Sequence, residues 1–160
     1  SAGEPRLLFD DVPAFQTCQI IITDDKQIFL LVDRDLYKLN QKFERVNSPV
    51  LYAVQNPGGD NLLYGNDNEI WLYETFANPP NQLLTRSSQK LGTPVYNKKT
   101  SYLFVALNRE TKAIEFDKLG QPNTYVLTKT NNSYPKFTVD DEGTTLIYLD
   151  GQNLYTLKIR

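Results

Sequence analysis

Two pairs of adjacent carboxylates, Asp24-Asp25 and Asp140-Asp141, are the first side chains in this sequence able to do chemistry. Glycoside hydrolysis needs two carboxylates held about 5–9 Å apart, one as acid and one as base or nucleophile. Both pairs fall in polar turns, where Asp accepts hydrogen bonds from nearby backbone N–H groups. Turn closure is therefore their expected role. The chain has no histidine, which removes Ser-His-Asp and Cys-His nucleophile systems, the usual zinc sites and the commonest general base. It has no Gly-x-Ser-x-Gly elbow and no Gly-rich phosphate loop after a strand. The expectation is a protein that is not an enzyme and that carries no cofactor and no metal. Asn66-Asp67-Asn68-Glu69 is the stretch richest in oxygen, but it lacks the alternating spacing of a calcium loop.

Aromatic side chains are the second resource. Trp71 and Tyr73 alternate along one segment beside Asp67 and Asn68. Exposed, these four residues would stack on a sugar ring and bond its hydroxyls; buried, the two rings would be core, each worth roughly 1.5–3 kcal/mol. Cys18 cannot form an internal disulfide, being the one cysteine, and its apolar neighbours Ile20, Ile21 and Ile22 predict a small buried hydrophobe.

Charge is mild, 17 basic against 19 acidic residues, with no basic stripe of the kind a nucleic-acid binder shows. No apolar run approaches the roughly 20 residues that span a bilayer, so neither nucleic acid nor membrane insertion is expected. The missing methionine, even at position 1, suggests a domain cut from a longer precursor, with Ser1-Ala2-Gly3 as a scar. Asn131-Asn132-Ser133 is an N-glycosylation sequon lying between two repeats.

The elements that must position these residues form a repeat. Pro13-Ala14-Phe15, Pro49-Val50-Leu51, Pro94-Val95-Tyr96 and Pro135-Lys136-Phe137 open four units, spaced by 36, 45 and 41 residues. Each opening leads to a polar turn, then to a short apolar strand: Ile28–Val32, Leu62–Tyr64, Tyr102–Ala106 and Leu146–Leu149. A second turn precedes Leu36–Leu39, Ile70–Tyr73, Ala113–Phe116 and Leu154–Leu157. Aligned in this way, Tyr37, Trp71, Ile114 and Tyr155 share one position, placing a large side chain on one face of every unit. A fourth strand follows at Lys42–Val46, Gln82–Thr85 and Thr124–Thr128, whereas the last unit ends without one. Its counterpart stands at the other end, where Arg6–Phe9 matches Gln82–Thr85. The expected fold is all-β: a β-propeller with four four-stranded blades, either a closed four-blade ring or half of a ring of seven or eight. Residues 1–160 form one domain with repeats at about 13–48, 49–93, 94–134 and 135–160, and residues 5–10 are the closing strand, pairing with Leu154–Leu157. Helix content should be close to nil, because no segment keeps an amphipathic period for three turns.

Tyr134-Pro135-Lys136-Phe137-Thr138-Val139-Asp140-Asp141-Glu142-Gly143-Thr144-Thr145-Leu146-Ile147-Tyr148, followed by Asn153-Leu154-Tyr155, resembles the TolB-type or WD40-like propeller repeat. That repeat runs Pro, two apolar residues, an Asp-rich turn ending in Gly, an apolar-Tyr strand and an apolar-aromatic strand. Leu63-Tyr64 with Ile70-Trp71-Leu72-Tyr73 repeats its second half, while the first and third units lack the glycine. The resemblance implies a propeller in an extracytoplasmic setting, periplasmic or at the cell surface. The function expected is a non-enzymatic interaction or scaffold module whose loops meet a protein partner or neighbouring domains. The alternative is a carbohydrate-binding module using Trp71, Tyr73, Asp67 and Asn68.

Overall fold

The computed structural model describes residues 7, 12, 14–55, 61–97, 99–115 and 123–159. They contain strands and turns and no helix. The first sheet holds β1 (Cys18–Ile22), β2 (Ile28–Val32), β3 (Asp35–Leu39) and β4 (Phe43–Asn47); the second holds β5 (Tyr52–Gln55), β6 (Asn61–Gly65), β7 (Glu69–Glu74) and β8 (Asn81–Arg86). The third holds β9 (Val95–Asn97), β10 (Tyr102–Leu107), β11 (Glu110–Glu115) and β12 (Thr124–Lys129); the fourth holds β13 (Phe137–Val139), β14 (Thr145–Asp150) and β15 (Asn153–Lys158). Every sheet is an antiparallel meander in chain order. These are propeller-like blades, four in number among the described residues. The expected closing strand at residues 5–10 and the turn at 56–60 lie outside the described residues, except Leu7, so the fourth sheet is described with three strands.

In the first, third and fourth units the first turn is closed by the residue at or just after the end of the opening strand. Thr23 Oγ1 accepts from Gln27 N at 3.1 Å, Asn97 Oδ1 from Thr100 N at 3.1 Å, and Asp140 Oδ1 from Thr144 N and Thr145 N at 2.7 and 2.9 Å. Three residue types thus do one job, supplying an oxygen to amides that would otherwise lack a partner. Asp140 is held down to about 2 by these bonds, that of Thr145 foremost. Gly143 has a reason of its own: its φ is +71°, and a Cβ there would stand 2.7 Å from Thr100 Cγ2.

Successive blades pack face on face, and the strand period of two decides which residues meet. Phe29, Leu31 and Leu36 of the first blade bury against Leu62, Tyr64 and Tyr73 of the second. On the second blade's other face, Leu63, Ile70 and Leu72 bury against Leu103, Val105 and Ile114 of the third. Most of these side chains are 0–2% exposed, so the core is a series of joints between blades.

Two expectations require correction. Cys18 is exposed rather than buried. It shares a face of β1 with Ile20 and Ile22, which are 67% and 57% exposed, because only the opposite face, through Ile21, meets the second blade. In the third blade the strand register differs by two residues. Leu30 lies opposite Tyr37, Tyr64 opposite Trp71 and Tyr148 opposite Tyr155, but the matching Val105 lies opposite Lys112, not Ile114. A shift by two keeps every side chain on its face, so the apolar pattern could not reveal it.

Candidate functional site

At one end of the blades the β2–β3 turns and their counterparts gather with the connections between blades. Asp33, Asn108 and Gly151 hold the same turn position with φ of 54°, 54° and 63°, a left-handed conformation that Asp, Asn and Gly tolerate best. Asp33 Oδ1 accepts from Gln16 N and Thr17 N at 3.1 and 2.9 Å, bonds that hold its carboxyl below the usual range, that of Thr17 foremost. In the second blade Asn66 Oδ1 accepts from Asn68 N and Glu69 N at 2.9 and 3.0 Å. Backbone bonds tie the connections to these turns: Val50 N to Arg34 O at 2.8 Å, Leu91 N to Asp67 O at 2.7 Å and Thr130 N to Arg109 O at 2.8 Å. Loops pinned in this way make a preformed rim.

A glutamate stands at the first position of the third strand in the second and third blades and bonds two groups each time. Glu69 Oε1 pairs with Arg86 Nη2 at 2.6 Å, while its Oε2 accepts from Trp71 Nε1 at 3.1 Å. Glu110 Oε1 pairs with Lys129 Nζ at 2.9 Å and its Oε2 with Lys112 Nζ at 3.2 Å. Arg86 and Lys129 are direct cross-strand neighbours of the two glutamates, and Trp71 and Lys112 each lie two residues beyond. Lys129 and then Lys112 hold the Glu110 carboxyl below its ordinary value. Both pairs open onto recesses. One, of about 590 Å³, is lined by Arg34, Asn66, Asp67, Asn68, Glu69 and Arg86 among others; the second, of about 500 Å³, is lined by Arg109, Glu110, Lys112 and Lys129 with Gln89 and Asn108.

The four residues expected from the sequence divide between this rim and a joint. Asp67 and Asn68 lie in the rim turn, where Asp67 pairs with Lys90 at 3.0 Å and Asn68 Nδ2 donates to Ser87 O at 3.0 Å. Trp71 is half-buried, stacked on Tyr64 at 6.4 Å with an interplanar angle of 10°, and packs against the first joint. Tyr73 is 7% exposed, meets Phe29 edge-on at 5.1 Å and accepts a hydrogen bond from Lys38 Nζ at 3.0 Å. A ring so enclosed offers no face to a sugar. Sequence reasoning weighed Glu69 only as part of an oxygen-rich stretch and overlooked Arg86, Glu110, Lys112 and Lys129. The signal that finds them is the acidic residue closing the second turn, Asp35, Glu69 and Glu110 in three successive units.

The remaining candidates serve turns. Asp25 accepts from Thr23 Oγ1, and Asp140 has three bonds to Thr144 and Thr145. Asn131 of the sequon donates through its amide to Asp150 Oδ2 at 3.2 Å. Among the described residues no three of His, Cys, Asp and Glu are grouped to hold a metal ion.

No protein-family model and no curated protein matches the sequence. Among solved structures the chain is similar to the tricorn protease, with a TM-score of 0.58 and 14% identity over 94% of this chain. It spans 16% of that chain, which has β-propeller domains. At this identity the likeness concerns fold alone, and it agrees with the all-β architecture of stacked antiparallel sheets.

Proposed function

We propose that this chain is a non-catalytic scaffold, a set of propeller blades whose rim of second turns and inter-blade connections docks a protein partner. The observation that carries the reading is the repeated carboxylate–cation pair, Glu69–Arg86 and Glu110–Lys129, beside two recesses at one end of the blades. The cations are 65% and 73% exposed while the glutamates are 24% exposed, so each recess presents positive donors anchored by a carboxylate beneath. Such pairs add little stability, but fixed charges on pinned loops suit orientation-specific docking. The absence of histidine from the sequence and the use of Asp25 and Asp140 in turns support a role other than catalysis.

The TolB-type character of the repeat and its ring belong to the same proposal. Leu154 occupies the position of Leu36 and Ile70, which are 0% exposed, yet it is 68% exposed. Ile20 and Ile22 on the first blade are likewise uncovered. These are the two opposite faces that meet at every joint, which supports a ring completed either within the chain or by further blades. Light scattering distinguishes the two: an 18.4 kDa monomer supports closure by four blades, a dimer two halves of an eight-blade ring.

Docking is tested with a photoreactive benzoylphenylalanine placed at Ser88 on the rim or at Lys42 on the opposite end. Discrete cross-linked species from Ser88 and none from Lys42 are expected. Equal labelling from both ends, or none from either, would refute the docking face.

A further inference from the structure

The third joint differs from the other two in what fills it. On the face that each blade turns to its successor, the first blade places Leu31, Leu36 and Lys38, and the second places Gly65, Ile70 and Leu72. The third blade places Ala106, Thr111 and Ala113 at those positions. Leu72 is a core residue 2% exposed, and Ala113 in its place leaves a shorter side chain at the joint. A cavity of about 450 Å³ results, lined by Tyr102, Phe104, Ala113, Tyr125, Leu127 and Ile159, with Thr100, Gly143 and Thr144 at its edge.

The lining has a definite chemistry. Tyr102 meets Tyr125 edge-on, with centroids 6.4 Å apart, and Phe104 lies 6.2 Å from Tyr102. Glu115 lies directly across from Tyr102 on the same face. Its Oε2 accepts from Tyr125 Oη at 3.4 Å and Asn123 Nδ2 at 3.2 Å, both neutral donors. Among the described residues no Lys or Arg pairs with it. Ring faces carry negative potential and attract cations within about 6 Å, and the Glu115 carboxylate beside them, with no basic partner among the described residues, adds to that field. The volume falls in the range of about 300–1,000 Å³ typical of small-molecule sites.

We infer that the cleft between the third and fourth blades binds a small organic cation, an ammonium group carried on an apolar body, with Tyr102 and Tyr125 around the cation and the half-buried Leu127 and Ile159 against the body. The site is separate from the docking rim: none of the residues lining it lines either rim recess.

The probe is benzyltrimethylammonium, compared with neopentylbenzene, its neutral carbon isostere, by NMR of the Ala113 methyl and the tyrosine rings. Saturable shifts at Ala113, Tyr102 and Tyr125 are expected, with the cation bound about fivefold or more tightly than the isostere. Glu115→Gln should reduce that preference, and Ala113→Leu, which installs the residue found at Leu72, should abolish binding of both probes. Circular dichroism establishes whether Ala113→Leu remains folded; Tyr125→Ala, at a residue 47% exposed, provides a second variant that should weaken the cation. Absence of saturable shifts, equal affinity for the two probes, or undiminished binding in folded Ala113→Leu or in Tyr125→Ala would each overturn the assignment.

Discussion

The first and third joints connect blades of the same design, yet one is filled and the other is open. At the first, Phe29 and Leu36 interlock with Leu62 and Tyr64, all 0% exposed, and the Tyr64 hydroxyl donates to Asn81 Oδ1 at 3.0 Å. Burial pushes that hydroxyl up to about 12. At the third, Phe104 and Leu146 are equally buried, but a cavity opens beside Ala113. Thr111 Oγ1 is buried and has no hydrogen-bond partner among the described residues. The joints are held at their ends alike: Gln55 Nε2 reaches Asp24 at the first, and Asn97 Nδ2 reaches Asp140 O and Asp141 O at 3.3 and 3.1 Å at the third. Polar contacts between turns thus tie neighbouring blades at both joints, while the filling between them varies.

The sharpest break of this comparison uses one residue type at one repeat position. Leu36→Ala should cost about 2–5 kcal/mol in urea unfolding, as for a buried leucine that leaves a cavity. Leu154→Ala should change stability by about 0.5 kcal/mol or less, as an exposed substitution. An equal loss at Leu154 would mean that another blade covers it. Next in size, Ala113→Leu should raise stability by about 0.5–2 kcal/mol by filling the third joint. A loss of about 1–3 kcal/mol, the signature of overpacking, would show in the same melts that the cleft has no room. Arg86→Gln should cost only about 0.2–1 kcal/mol, less in high salt, because the pair with Glu69 is solvated.

The smallest effect concerns pH. The Asp140 carboxyl titrates near 2 in the folded chain against 3.8 ordinarily, so its contribution is present above 3.8 and is lost as pH falls towards 2. Asp140→Asn should flatten the acid limb of the stability profile within that window. At the first joint the equivalent cap is the neutral Thr23 hydroxyl, and Thr23→Ser should leave that limb unchanged. A wild-type acid limb in Asp140→Asn would remove the carboxylate from the turn.

Most of the strand pattern was legible. Ile28–Val32 coincides with β2, and the apolar segments at 62–64, 70–73 and 146–149 each lie within a strand. Short runs rich in β-branched and aromatic residues between Asp, Asn and Gly turns leave little choice of element. The candidate site was legible only in part. Asp67 and Asn68 stand on the rim, but Trp71 and Tyr73 turn inward, because residues two apart on a strand share whichever face the neighbouring blade covers. Cys18 illustrates the converse: an isoleucine-rich strand at the start of the first sheet has one covered face, and Cys18 is on the other.

Local sequence determined the strands, their turns and the residue types that close those turns, because capping and alternation act within a few residues of the chain. Only the tertiary structure decided which face of each strand was buried, that Lys112 rather than Ile114 takes the place of Trp71, and that the third joint stays open. Each of these depends on what stands across a joint between blades, and the residues that meet there belong to different repeats, so no local pattern encodes their meeting.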